Sequence, residues 1–239
     1  MKAKAVFPKR LVLKDARTGE ELADLDLGRP FVERYGYHYI VTHRADLLDA
    51  LLDGCRQKNN IKLYNNKRVV KVENLGTEAR VECADGSSFI GEVVIGADGL
   101  HSVTRKLVSD DEPVCSEYVA YRGTIPMNDM KAKIHEDDVV MYIGPYMHFV
   151  QYPVRNKQLF NQVAVFRSFR YKPDSDDWGT PEELDECFST CVEHVRHAAS
   201  YMFRGRRWPM YDREPIENWT QGRVTLLGDA AHAMLQYMA

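Results

Sequence analysis

The chain has 239 residues, enough to bury one large core or two modest ones. It is 44% hydrophobic and 28% charged, with a net charge of −3 at pH 7, which gives no footing for nucleic acid or an anionic membrane surface. No window approaches the ~18 consecutive apolar residues a spanning helix needs, and the opening Met-Lys-Ala-Lys-Ala-Val-Phe-Pro-Lys has too short an apolar run for a secretory signal.

In chain order, Leu11-Val-Leu13 and Leu22 to Leu27 read as a hairpin joined through Arg17-Thr-Gly19. Tyr39-Ile-Val-Thr42 leads into a helix from His43 to Lys58, with Thr42 as N-cap and an apolar stripe of Leu47, Leu48, Leu51, Leu52 and Cys55. Strands are expected at Ile61 to Tyr64, Arg68 to Val72 and Ala79 to Cys83, and Asp85-Gly86 is a hairpin turn signal. Phe89 to Ile95 follows, and its apolar end Val93-Val-Ile95 suits a parallel strand buried on both faces.

Beyond Val108 the texture changes. Tyr118 to Ile125, Val139 to Ile143, Tyr146 to Tyr152 and Gln158 to Phe169 form a series of aromatic-rich strands, expected as a mostly antiparallel sheet with one face on a pocket. After a polar loop from Pro173 to Gly179, Thr180-Pro-Glu-Glu183 is a capping box. It opens a helix that carries Leu184, Cys187, Phe188, Cys191, Val192, Val195 and Met202 on one stripe. A loop containing Trp208-Pro and Arg213-Glu-Pro215 returns the chain to a short strand, Val224 to Leu227. Gly228 turns it, and Asp229-Ala-Ala-His opens a last helix. The fold class is mixed α/β. A discontinuous nucleotide-type domain, 1–110 with 205–239, is interrupted by an inserted sheet-and-helix domain, 111–204.

The five cysteines, an odd number without CxxC, indicate a reducing cytoplasm, and Cys187 and Cys191 read as buried small hydrophobes. Asn218-Trp-Thr220 matches the glycosylation pattern but has no secretory context. His194 and His197 share a helix face, yet no carboxylate or cysteine completes a metal site, so no metal is expected.

Two strand-end motifs carry the chemistry. In Gly96-Ala-Asp-Gly-Leu-His-Ser-Val-Thr-Arg105, Gly96 and Gly99 allow close backbone approach, Asp98 can accept hydrogen bonds, and Ser102 and Arg105 lie on the following turn. In Gly228-Asp229, an acceptor carboxylate stands beside a free helix N-terminus, where a phosphate-bearing group can rest. Together these motifs resemble the second and third fingerprints of the class A FAD-dependent aromatic hydroxylases, and the resemblance covers nearly the whole chain. It implies an FAD-binding domain with an inserted substrate domain, reduction by NADH or NADPH, and transfer of one oxygen of O2 to a small aromatic acid, in a parent that can be homodimeric. It assigns cofactor contacts to Asp98, Gly99, Ser102, Arg105, Gly228 and Asp229. Arg44, in Thr-His-Arg-Ala-Asp-Leu, matches the family's arginine near the FAD pyrophosphate.

Within the family, the 3-hydroxybenzoate and salicylate hydroxylases are the most similar. Members that hydroxylate 3-hydroxybenzoate para to its hydroxyl, giving 2,5-dihydroxybenzoate, resemble this chain in a glutamine matched by Gln236. They also share a His and a Tyr four apart on a sheet strand, matched by His148 and Tyr152. Such spacing puts both on one strand face, about 13 Å apart along the backbone at ~3.3 Å per residue. A histidine there can take a phenol proton, and Tyr152 and Gln236 can donate to a carboxylate or phenolate. The alternatives are salicylate hydroxylation and a catalytically inactive fragment. The latter arises because the family's GxGxxG, which admits the FAD pyrophosphate to a helix N-terminus, does not occur in the sequence.

Overall fold

The computed structural model describes residues 5–129, 136–173, 175 and 177–236. In chain order the elements are β1 (Arg10–Asp15), β2 (Glu21–Asp26), α1 (Arg29–Tyr35), α2 (Arg44–Arg56), β3 (Val69–Asn74), β4 (Ala79–Cys83), β5 (Ser88–Gly91) and β6 (Val94–Gly96). They continue with β7 (Val114–Pro126), β8 (Asp138–Gly144), β9 (Met147–Val154), β10 (Leu159–Arg167), α3 (Pro181–Phe188), α4 (Glu193–Ala199), β11 (Trp208–Asp212), β12 (Thr220–Gln221), β13 (Val224–Leu226) and α5 (Asp229–His232). Strands and helices mix as the sequence implies. Among the described residues, no helix is long and apolar enough to cross a membrane.

The chain divides into two compact units, Met1–Ile61 with Glu117–Pro209 and Lys62–Ser116 with Met210–Ala239. The expected boundaries placed residues 1–61 with the nucleotide-type segments, whereas these units group them with the large sheet. The cause is strand pairing. The β1–β2 hairpin forms as expected, but β1 then runs parallel to β8, in register from Arg10↔Asp138 to Asp15↔Ile143, and so joins the large sheet. The α2 helix is tied to the same unit by Arg155, whose guanidinium donates to the buried Asp46 carboxylate at 2.9 Å.

The large sheet has the order β11-β7-β10-β9-β8-β1-β2. From β7 to β8 every pairing is antiparallel, as expected. One face, carrying Phe149, Phe160, Ala164 and Phe166, is fully buried. The α3 helix helps to cover it through Phe188, whose ring meets Phe149 and Phe166 edge-on at 5.9 and 6.4 Å. The Thr180–Glu183 capping box forms. The buried Glu183 carboxylate also accepts from Ser168 Oγ and from the backbone N–H groups of Gly179 and Arg170. The single helix expected behind it is two helices. Val192 is extended, and its N–H donates to the Ala16 carbonyl at 2.9 Å instead of continuing the helical ladder. The stripe is still buried at Leu184, Phe188, Cys191, Val195 and Met202, and burial pushes the thiols of Cys187 and Cys191 up to about 11.

In the second unit, β3-β4-β5 form an antiparallel meander and β12-β13-β6 a second small sheet. The expected strand Phe89 to Ile95 is split: residues up to Gly91 pair with β4, and Val94–Gly96 pair in parallel with β13. Val93 and Ile95 are more than half exposed, contrary to the expected burial on both faces. Ile61 to Tyr64 is not a strand, and Tyr64 instead tilts its ring against Phe89 at 5.1 Å. Three elements escaped sequence reading: α1, which starts with a proline in its first turn and ends on a left-handed Gly36, and the short strands β11 and β12. The α2 stripe is also not core, because Leu48 and Leu51 are 54% and 61% exposed.

These burials set a contrast. Phe188→Ala should lose ~3–5 kcal/mol of stability in urea unfolding, and Leu48→Ala less than ~1 kcal/mol. Equal losses would show that the helix–sheet seam is not the core.

Candidate functional site

Both Gly/Asp turns leave the same end of neighbouring strands. β6 and β13 pair in parallel, Val224↔Val94 to Leu226↔Gly96, and the Leu227 N–H donates to the Gly96 carbonyl at 2.9 Å. Residues 97–99 and 228–229 therefore lie side by side beyond the carboxyl ends of parallel strands, the position where open α/β sheets bind ligands. A Cβ on Gly96 would stand 2.5 Å from the Thr104 side chain, so only glycine lets the 3₁₀ turn Thr104–Leu107 pack on the strand end. Gly228 turns the chain with φ +61°, a conformation costly for other residues.

The polar residues of the first motif mostly hold the turn itself. The Asp98 carboxylate accepts from Ser102 Oγ at 2.6 Å, from the N–H groups of Val103 and Thr104, and from Thr104 Oγ1. Burial alone would raise its pKa, but these hydrogen bonds hold it below the usual carboxylate value. Ser102 is buried and accepts from the Arg105 N–H.

Arg105 is only 1% exposed. Its Nε donates to Asp111, Nη1 to the carbonyls of Ala230 and Ala231, and Nη2 to the Glu214 carbonyl. Most of its N–H donors are thus spent inside the protein. In this structure its guanidinium fastens the first motif to the helix that opens on Asp229. Asp111 and Arg213 complete the clamp and were missed in the sequence. Arg213 donates to the Leu100 carbonyl and to Asp111. The signals for them were an aspartate in the acidic run after Arg105 and an arginine in the loop before the Val224 strand.

On the large sheet, the register places His148, Val150 and Tyr152 of β9 on one face with Val165, Val163 and Asn161 of β10 and Ala120, Arg122 and Thr124 of β7. This is the face opposite Phe149 and Phe166. His148 is buried, and burial lowers its pKa from 6.5 to about 4, so the ring is neutral at neutral pH rather than titrating there as its residue type suggested. Burial raises the Tyr152 phenol above its ordinary value, the Arg122 charge pulls it back, and Tyr39 adds to the rise. Gln236 is exposed in the second unit, and Arg44 is exposed in the first turn of α2 in the first unit. His194 and His197 face different rings, Tyr142 and Tyr201.

The model of the FAD binding domain family matches residues 10–239. The chain belongs to this family. Among its relatives, 3-hydroxybenzoate 6-hydroxylase 1 of Aquipseudomonas alcaligenes is 36% identical over 234 residues, spanning 96% of this chain and 59% of the relative. The 3-hydroxybenzoate 6-hydroxylase of Klebsiella oxytoca is 31% identical over 99% of this chain and 59% of its own length. The chain thus spans less than two thirds of the relatives it matches. Among solved structures, Klebsiella pneumoniae HpxO in complex with FAD and uric acid superposes with a TM-score of 0.79 at 25% identity, covering 98% of this chain and 59% of that one. The residues present fit an FAD-binding domain at the strand ends. A Cβ at Gly99 or Gly228 would point into open space, and the exposed Asp229 carboxylate has no hydrogen bond among the described residues. Asp229 is therefore free to accept from ribose or ribityl hydroxyls.

Two measurements check this account. Arg105→Ala should destabilise the protein by ~3–5 kcal/mol, because it takes one of the partners of Asp111 and leaves three carbonyls without the guanidinium. Burial would raise the Asp111 carboxyl, but Arg105, Ser109 and Arg213 hold it well below the usual range. Its contribution is therefore complete above the unfolded value near 4 and is lost as pH falls toward the lower folded value. Asp111→Asn should flatten the acid limb of a Tm-against-pH curve.

For His148, the folded pKa lies below the unfolded value. The unfolded chain therefore takes up the proton first, and stability falls as pH drops from 6.5 toward 4. The His148 ring protons should titrate by NMR with a midpoint near 4 in the ligand-free protein; a midpoint at 6 or above would contradict its burial.

Proposed function

We propose that this protein hydroxylates a phenolic aromatic acid, with FAD as redox group and NAD(P)H and O2 as co-substrates. The preferred substrate is 3-hydroxybenzoate, converted to 2,5-dihydroxybenzoate. The observation that carries the reading is the β9 face, where a buried neutral imidazole and a half-buried phenol share one side of the sheet. The relatives named 3-hydroxybenzoate 6-hydroxylase support it. The second unit would hold the cofactor through the backbone at Gly99 and Gly228 and through Asp229. The sheet of the first unit would hold the substrate.

Bound FAD would supply the redox chemistry, taking electrons from the nicotinamide and activating O2. The protein's part is proton control and orientation. His148, neutral before substrate arrives, accepts the 3-hydroxyl proton on a ring nitrogen. The phenolate formed beside it stabilises the imidazolium and so raises the basicity that burial had lowered. The electron pair left on the phenolate oxygen enriches the ring ortho and para to it. The para carbon of 3-hydroxybenzoate is the one whose hydroxylation gives the 2,5-product. Tyr152 donates a hydrogen bond to the carboxylate or phenolate and sets which carbon is presented.

The test begins with the visible spectrum of the protein titrated with FAD, then NADH oxidation with each acid and product identification. A bound-flavin spectrum, stimulation by 3-hydroxybenzoate above salicylate, and 2,5-dihydroxybenzoate as product are expected. Stronger stimulation by salicylate, or a 2,3-dihydroxy product, would overturn the substrate assignment. His148→Ala should lower kcat/KM by about 100-fold or more, the range of a lost general base.

A further inference from the structure

We infer that Arg122 binds the carboxylate of the aromatic acid and so sets the preference for an acid over its neutral analogues. This rests on the proposed substrate class and adds a residue that neither motif contains. Three observations lead to it. The first is register. Arg122 pairs across β10 with Val163, which pairs with Val150, so Arg122 stands on the His148–Tyr152 face two strands away, about 10 Å in strand spacing. A ring lying on this face, its hydroxyl at His148, can direct a meta carboxylate toward β7.

The second is availability. Among the described residues the Arg122 guanidinium has no carboxylate partner and makes no hydrogen bond. It rests on the Trp208 ring, 5.8 Å from its centroid, an arrangement that holds the planar group in place while leaving its N–H fork open. Arg206 lies over the same ring at 5.4 Å and adds positive potential. Arg204, by contrast, is engaged by both oxygens of Asp185 at 2.7 and 2.6 Å. The third is space. A cavity of about 680 Å³ is lined by Arg122, Thr124, Asn161, Tyr201, Phe203 and Arg204. Asn161 sits directly opposite Tyr152 in the ladder, and Arg122 is close enough to act on the Tyr152 phenol electrostatically. Arginine matches a carboxylate with two parallel N–H···O bonds, which an amide or alcohol in its place cannot reproduce.

The test is binding, measured by isothermal titration and tryptophan fluorescence on the wild-type protein and on Arg122→Gln and Arg122→Lys, with 3-hydroxybenzoate and with the uncharged 3-hydroxybenzamide. Wild type should favour the acid. Arg122→Gln should weaken acid binding about 10- to 100-fold, the worth of a charged hydrogen bond, and leave the amide unchanged. Arg122→Lys should recover part of the loss. Because Arg122 is exposed and its guanidinium makes no hydrogen bond among the described residues, the variants should melt like wild type. If Arg122→Gln keeps the wild-type preference for the acid, the anchor is wrong and the substrate class stands. If the wild type binds the amide as well as the acid, the anchor is also wrong. If it binds neither, the substrate class fails and takes the anchor with it.

Discussion

A guanidinium removed from water has to find hydrogen-bond acceptors for its N–H groups, and the second unit is organised around meeting that requirement for Arg105. Its partners come from residue 111, from residue 214 and from residues 230 and 231, so one side chain gathers stretches more than a hundred residues apart. The β6–β13 ladder alone is only three pairs long. With so few backbone bonds, the side-by-side placement of the two Gly/Asp turns needs the buried ion pair and carbonyl contacts beyond it. Asp111, shared between Arg105 and Arg213, supplies the compensating charge. A clamp of this kind has a steep cost of failure, since each group deprived of its partner stays buried.

The first unit solves a different problem, that of giving one sheet two unlike faces. Alternation along β9 sends Phe149 into the helix-covered core and His148 and Tyr152 to the other side. Even there, His148 is shielded enough to be neutral. A buried but unprotonated imidazole is a proton acceptor that water does not saturate. Its weakness as a base follows from the same lack of solvent screening that would make it respond strongly to any charge placed beside it.

The legible parts of the sequence were those governed by local rules. The hairpin at Arg10–Asp26, the Asp85-Gly86 turn, the capping box at Thr180 and the four strands from β7 to β10 all follow from periodicity and turn chemistry. What escaped was decided by pairing partners. Residues 1–61 have nothing in their own composition to say that β1 will run beside β8, a strand more than a hundred residues away. The run from Phe89 to Ile95 looks continuous, yet its two halves serve different sheets. The stripe through Cys191 has unbroken helical spacing, but the Ala16 carbonyl captures the Val192 N–H and the helix stops. The two Gly/Asp motifs do fall on turns at neighbouring strand ends, while the register that aligns Arg122 with His148 and Tyr152 could not be read from any one segment.

Residue type also said nothing about which polar groups remain free. Asp98 and Asp229 look equivalent, each a carboxylate following a glycine-bounded strand end. Asp98 is filled by hydroxyl and backbone donors of its own turn, and Asp229 accepts nothing from the described residues. Arg105 and Arg122 differ in the same way, one spent on carbonyls and a carboxylate, the other resting on an aromatic ring with its fork open. A satisfied group would have to give up hydrogen bonds to take a ligand, whereas an open one exchanges only water. That difference in cost, and not the motif itself, divides the polar residues between building the turns and receiving what binds there.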